Sequence, residues 1–178
     1  TNLFQEACWA WRRVPVPVVA AVHGHCYGGG LQIALAADLR FTTADAQWSV
    51  LEAKWGLVPD MSGIQALSQQ VRMDVAKRLT MTGEVVSGER AVDLGLASEV
   101  HADPVAAATA FIEQVATRSP DAVAATKRLF GRTWSSSDRR TFARERIEQA
   151  KLLATKNTTI AREAAMKRAV PAFDPRRR

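Results

Sequence analysis

The chain has 178 residues, 47% apolar and 24% charged, the size and make-up of one globular domain able to bury a core. No stretch approaches the ~18–20 uninterrupted apolar residues of a membrane-crossing helix. Cys8 and Cys26 are too few for a disulfide framework, so a reducing cytoplasm is the expected compartment and no membrane partner is expected. The net charge of +6 gathers late, in Arg139, Arg140, Arg144, Arg146, Lys167, Arg168 and the closing Arg176-Arg177-Arg178. Such an excess attracts phosphates, but a solvated helix face with a basic tail is the plainer account, and nucleic acid is not the expected partner.

Residues 3–12 carry an amphipathic helical pattern that Pro15 and Pro17 break. Residues 18–22 predict a buried strand and 30–37 a buried helix, followed by a strand over 39–42 and an extended segment over 46–50. A short helical turn at 52–55 leads into a loop over 56–63, rich in turn residues. Apolar residues at helical spacing then cover 63–70 and 73–80. Ser87 caps a helix that runs through Leu94 and stops at Gly95, and 96–100 is a last short strand. Helices follow over 105–117, 120–129 (opened by Ser119-Pro120), 137–153 and 158–170. Strands come early and helices late, so the class is α/β passing into a helical C-terminal part.

Val18-Val19-Ala20-Ala21-Val22-His23-Gly24-His25-Cys26-Tyr27-Gly28-Gly29-Gly30 places three glycines between a strand and an Ala/Leu-rich helix. Residues without Cβ let a ligand approach bare backbone, and the helix that opens there offers unpaired N–H groups and the positive end of its dipole. The junction suits developing negative charge, although a plain tight turn has the same composition. It is no phosphate loop, Rossmann fingerprint or nucleophile elbow, because the residues those motifs need are missing. Glu52 follows among Trp48, Leu51, Trp55 and Leu57, where desolvation would raise its pKa and make it a proton shuttle; a surface pairing with Lys54 is the alternative. Asp60, after Pro59, reads equally as an acid or a turn residue. His23-Gly24-His25-Cys26 has only His101 as a remote companion, so no metal is expected.

Taken together these segments resemble the crotonase superfamily, the enoyl-CoA hydratase/isomerase family. The residues that carry the resemblance are Val16 through Gly30, Ala36-Ala37-Asp38-Leu39-Arg40, Glu52, Gly56-Leu57-Val58-Pro59, Leu79-Thr80-Met81-Thr82-Gly83 and Ala91 through Val100. The tail Arg162-Glu163-Ala164-Ala165-Met166-Lys167-Arg168 with Pro171 and Phe173 continues it. The resemblance implies a ClpP/crotonase-like spiral of ββα units with a helical C-terminal trimerisation part. Residues 1–102 would be the C-terminal portion of the crotonase core, incomplete at its N-terminus, and 103–178 the helical part. It implies an acyl-CoA thioester as partner, a homotrimer or dimer of trimers, and no cofactor, coenzyme A being part of the substrate.

In the same resemblance Gly29 supplies one backbone N–H of an oxyanion hole, Glu52 is the acid/base, and Asp60 falls where dienoyl-CoA isomerases place an acid. Tyr27, Gly28, Gln32, Leu51 and Pro59 line the substrate, and Lys167 and Arg168 reach a CoA phosphate. There are two departures. Similar hydratases carry a second glutamate where this chain has Gln32, which cannot take a proton from water, so double-bond isomerisation is favoured over hydration. Relatives also have an N-terminal segment that holds the second oxyanion donor, and nothing here matches it, so the chain as written is expected to be catalytically incomplete. A hydratase of weak or altered activity is the alternative. So is a silent member that binds CoA, or RNA through Lys127, Arg128 and Arg132 or through Arg139, Arg140, Arg144 and Arg146.

Overall fold

The computed structural model describes residues 1–176; Arg177 and Arg178 lie outside the described residues. After helix α1 (Leu3–Arg13), strand β1 (Val19–Val22) turns a corner at His23-Gly24 into β2 (His25–Tyr27), and helix α2 (Gly29–Ala34) follows. The next turn of the chain repeats the pattern, with β3 (Leu39–Thr42), a corner, and β4 (Gln47–Ser49). β3 lies parallel to β1, with Val19 opposite Leu39, and β4 lies parallel to β2, with Tyr27 opposite Ser49. Each turn therefore adds one strand to each of two sheets, a spiral of ββα units. Backbone bonds lock the corners, Thr43 N–H donating to Val22 C=O (3.0 Å) and Gln47 N–H to Gly24 C=O (2.7 Å).

A 3₁₀ turn (Leu51–Trp55) leads to α3 (Gly63–Ser68) and α4 (Met73–Thr82). The third turn brings β5 (Val86–Ser87) antiparallel to β4, then α5 (Gly88–Leu94), then β6 (Glu99–Val100) parallel to β3. The Ser87 hydroxyl accepts from Arg90 N–H and Gly95 ends α5 at φ 86°, as the capping pattern predicts. Leu31, Leu35, Trp48, Leu67, Leu79 and Leu96 form the centre of the core. The Trp48 indole N–H is satisfied there by Thr42 Oγ1 at 3.0 Å.

The last strand expected over 96–100 forms only at Glu99–Val100, β5 has no counterpart in the sequence expectation, the helix expected over 120–129 runs on to Thr133, and the one expected over 158–170 is shifted to Lys156–Lys167. Two further departures bear on the site. Residues 25–27 read as part of a turn but form β2, because pairing with β4 supplies the hydrogen bonds that three residues cannot supply alone. The helix expected over 30–37 stops at Ala34. Leu35, Ala36 and Ala37 stay buried and so look helical in sequence. The chain must bend there for Asp38 N–H to reach Val18 C=O, while the Asp38 carboxylate accepts from Val18 N–H. Arg40, buried below the bend, donates to Ala37 C=O (2.9 Å) and Leu96 C=O (2.6 Å). Burial lowers its pKa to about 10, with the like charge of Arg12 adding and Asp38 opposing.

The chain divides into two compact units, Thr1–Arg12 with Val18–Thr109, and Arg13–Pro17 with the segment from Ala110 onward. α6 (Pro104–Ala116) starts where the Asp103 carboxylate accepts from Val105 and Ala106 N–H. The second unit contains α7 (Pro120–Thr133), α8 (Asp138–Leu153) and α9 (Lys156–Lys167). The Glu148 carboxylate of α8 is buried against Arg128 of α7, which donates through Nη2 at 2.7 Å and Nε at 3.4 Å. Among the described residues no helix is long and apolar enough to cross a membrane.

The Arg128 hydrogen bonds hold the Glu148 carboxyl below the usual carboxylate range, against the opposing effect of burial. A depressed folded-state pKa stabilises the fold above the unfolded value, about 4.3, and that stability disappears as pH falls through the folded value. Glu148→Gln is therefore expected to lose about 1.5–3 kcal/mol near neutral pH. In thermal melts the gap to the unmodified protein should close below about pH 4; a gap independent of pH would remove the ion pair as its cause.

Candidate active site

β2 ends against β4, where Gly28 N–H donates to Ser49 C=O at 3.0 Å. Gly28 then takes φ 49°, ψ −118°, a region closed to residues with a Cβ, and this turns the chain directly into α2. Gln32 N–H closes the first helical turn on Gly28 C=O at 3.0 Å. The N–H groups of Gly29 and Gly30 are the first of the helix and have no acceptor within it. Three glycines thus give one corner that only glycine permits and two N–H groups without an acceptor in their own helix.

The 3₁₀ turn after β4 carries Glu52 back to that corner. A Cβ built on Gly28 would lie 3.4 Å from Glu52 Oε1, so the carboxylate rests against bare glycine backbone. Oε1 accepts from Gln32 Nε2 at 2.6 Å. Oε2 is buried and has no hydrogen-bond partner. The expected apolar shield is different in kind: Trp48 belongs to the core, whereas Trp55 and Leu57 are 69% and 64% exposed. Gln32 and the glycine corner enclose the carboxylate instead. The Lys54 ammonium lies over the Trp55 ring, 5.8 Å from its centre.

Gln32 is buried on α2, and its Oε1 accepts from two backbone donors, Met61 N–H (2.8 Å) and Gly63 N–H (3.0 Å). Ser62 between them adopts the left-handed conformation, φ 71°, ψ 10°. Two N–H groups flanking such a residue converge on one point and form a small anion-binding nest. A Cβ on Gly63 would come within 2.6 Å of Gln32 Oε1 and 2.9 Å of its Cδ and Cγ, so glycine is what lets the loop close on Gln32. A Cβ on Gly29 would lie 3.2 Å from Met61 Sδ, which brings the same loop over the glycine corner.

The structure thus gathers Gly28, Gly29, Gln32 and Glu52, four of the residues singled out in the sequence. Leu51 starts the 3₁₀ turn half-buried, and Pro59 is buried on the loop that follows. Asp60 is exposed on the turn beside Met61. Tyr27 donates its hydroxyl to Gln47 and its ring meets that of His25 tilted at 48°, 5.0 Å between centroids. Lys167 ends α9 and Arg168 follows at φ 52°, both exposed in the second unit. Cys26 is buried, which pushes its thiol up to about 12. Among the described residues no group of three or more His, Cys, Asp or Glu side chains converges as a metal site would need.

Sequence reasoning passed over Met61, Ser62 and Gly63 as ordinary loop. Nothing in Asp60-Met61-Ser62-Gly63 announces that its N–H groups serve a side chain 29 to 31 residues away.

An open backbone donor next to a carboxylate, on successive turns of a ββα spiral, defines a site that can stabilise an oxyanion while a proton moves. The sequence model of the enoyl-CoA hydratase/isomerase family matches residues 2–174, and the chain belongs to that family. It is 39% identical over 114 residues to the (E)-benzylidenesuccinyl-CoA hydratase of Thauera aromatica, covering 62% of this chain and 44% of the relative. A probable enoyl-CoA hydratase of Bacillus subtilis is 36% identical over 113 residues, with the same coverage of 62% and 44%. The chain thus spans less than half the length of these curated relatives. The crystal structure of an enoyl-CoA hydratase from Polaromonas sp. JS666 superposes with a TM-score of 0.90 at 29% identity, covering 96% of this chain and 67% of that one.

Proposed function

We propose that the protein binds an acyl-CoA thioester and moves a proton along its acyl chain, isomerising an enoyl-CoA double bond. The thioester carbonyl oxygen lies at Gly29 N–H, where charge grows as the enolate forms. A donor already oriented at that point needs no reorganisation during the reaction, and losing one such donor typically costs about 100–1,000-fold in rate. Glu52 removes the proton at the α carbon and returns it at the γ carbon. Asp60, on the neighbouring loop, is kept as a second acid for longer unsaturated chains. Tyr27, Gly28, Leu51 and Pro59 border the acyl group. The observation that carries the reading is the Glu52 carboxylate resting on Gly28, one residue from the open Gly29 donor.

In this reading the helical part, residues 103–178, builds a homotrimer or dimer of trimers in the cytoplasm. Lys167 and Arg168 contact a CoA phosphate, and no cofactor beyond the substrate's CoA takes part. Of the two basic sets that the RNA-binding alternative offers, the first is partly engaged within the fold, Lys127 Nζ donating to Val16 C=O and Arg128 pairing with Glu148, and the exposed set Arg139, Arg140, Arg144 and Arg146 is left to carry it. The test is to supply 3-enoyl-CoA and 2-enoyl-CoA to the full-length protein and follow the products; if neither reacts, the reading is wrong.

Hydration is the second reading, favoured by the relatives' names, and Gln32 separates the two. In Gln32→Glu one carboxylate oxygen would occupy the nest of Met61 and Gly63, and the other would face Glu52. Two carboxylates at that distance cannot both ionise and share a proton, giving the acid and base that water addition uses. Gln32→Glu is expected to raise the ratio of hydration to isomerisation by about 100-fold or more, the lower end of what a positioned general acid–base group contributes. An unchanged product ratio would show that position 32 does not set the reaction.

A further inference from the structure

We infer that Gln32 is a positioning residue, clamped by the N–H pair of Met61 and Gly63 so that it holds Glu52 by Oε1 and leaves Oε2 as the oxygen that carries the proton. The inference rests on the proposed role of Glu52 and goes beyond it, because it says which oxygen works and what fixes it.

A carboxylate has two equivalent oxygens and a torsion that exchanges them. Here the two are made different. Oε1 is occupied by a 2.6 Å hydrogen bond from Gln32, and a proton placed on that oxygen would compete with this donor. Oε2 is buried and unpartnered. An unsatisfied buried acceptor is costly, and a proton arriving from substrate would relieve it.

The amide of Gln32 has no freedom to flip. Its Oε1 faces two backbone donors, so a flipped amide would set its NH₂ against both of them and remove the donor from Glu52. The nest depends on Ser62 in the left-handed region, strain of the kind that persists where surrounding contacts hold it. Gly63 keeps the space for the amide. Residues 61–63 therefore act on the proton shuttle at one remove, through Gln32.

Steady-state kinetics of the full-length protein on the enoyl-CoA it turns over test this. Gln32→Met keeps the length and removes the donor; kcat should fall about 10–100-fold, as expected for a misplaced catalytic group. KM should move by less than about 3-fold, since substrate binding is not what is lost. Gly63→Ala should produce the same kcat loss by displacing the amide. In a Gln32→Ala background, where the atoms that Cβ would strike are gone, it should add less than about 2-fold. That pair of measurements stands even where Gln32→Met folds poorly, which thermal melts report. A KM rise at constant kcat, or an equal Gly63→Ala penalty with and without the Gln32 side chain, overturns the assignment. A wild-type protein that turns over no enoyl-CoA, or a Glu52→Gln variant of full activity, strikes the underlying reading as well. Turnover that needs Glu52 but not Gln32 strikes this proposal alone.

Discussion

Glu52→Gln is expected to lower enoyl-CoA turnover by about 100- to 10,000-fold, the usual contribution of a positioned proton-transfer group. The substitution removes basicity and little else. Glutamine has nearly the same shape, so its side-chain carbonyl can still accept from Gln32 Nε2 and its bulk can still rest on Gly28. Substrate affinity should change little, and melting temperature should hold, because a buried, unpartnered carboxylate oxygen is exchanged for an equally unpartnered but neutral amide NH₂. Rate and KM measured side by side separate these effects. Loss of turnover with retained KM identifies Glu52 as the proton carrier, whereas unchanged turnover would sink the mechanism.

Gly88→Ala carries the largest expected effect on the fold. Position 88 opens α5 just after the Ser87 cap, where by local rules alanine should stabilise a helix by about 0.5–1 kcal/mol over glycine. The tertiary contact reverses that sign. A Cβ there would sit 1.9 Å from Thr43 C=O, with Thr42 Oγ1 at 2.9 Å. The obstacle is backbone, not a flexible side-chain end, so a strand must move. Thr42 Oγ1 also serves the Trp48 indole, and β4, which holds Trp48, leads directly to Glu52. We expect a loss of about 3 kcal/mol or more, at the upper end of overpacking penalties. Urea unfolding measures it, and a variant as stable as the parent would show that β3 and α5 are not held at this spacing.

Much of the architecture was legible in local sequence. Pro15 and Pro17, Ser87 with Gly95, and Ser119-Pro120 mark helix boundaries through constraints that act within a few residues. The strand over 39–42 followed from a short apolar pattern, and the short helical turn over 52–55 was also legible. β2 did not, because a three-residue strand exists only through its partner β4. The shortened α2 was also hidden, since burial of Leu35, Ala36 and Ala37 gives the same apolar run whether or not the helix continues.

That Gln32 replaces a second acid is what the family resemblance implies; at the site, sequence alone determined the glycine junction and the glutamate that follows it. These are statements about residue type, which spacing and chemistry can carry. Only the tertiary structure decided that Glu52 rests on Gly28, that Gln32 is its partner, and that residues 61–63 hold Gln32 in one orientation. Those contacts join residues 20 to 31 positions apart, and their geometry depends on how successive turns of the spiral stack. A hydrogen bond aimed across such a distance leaves no periodic trace in the chain.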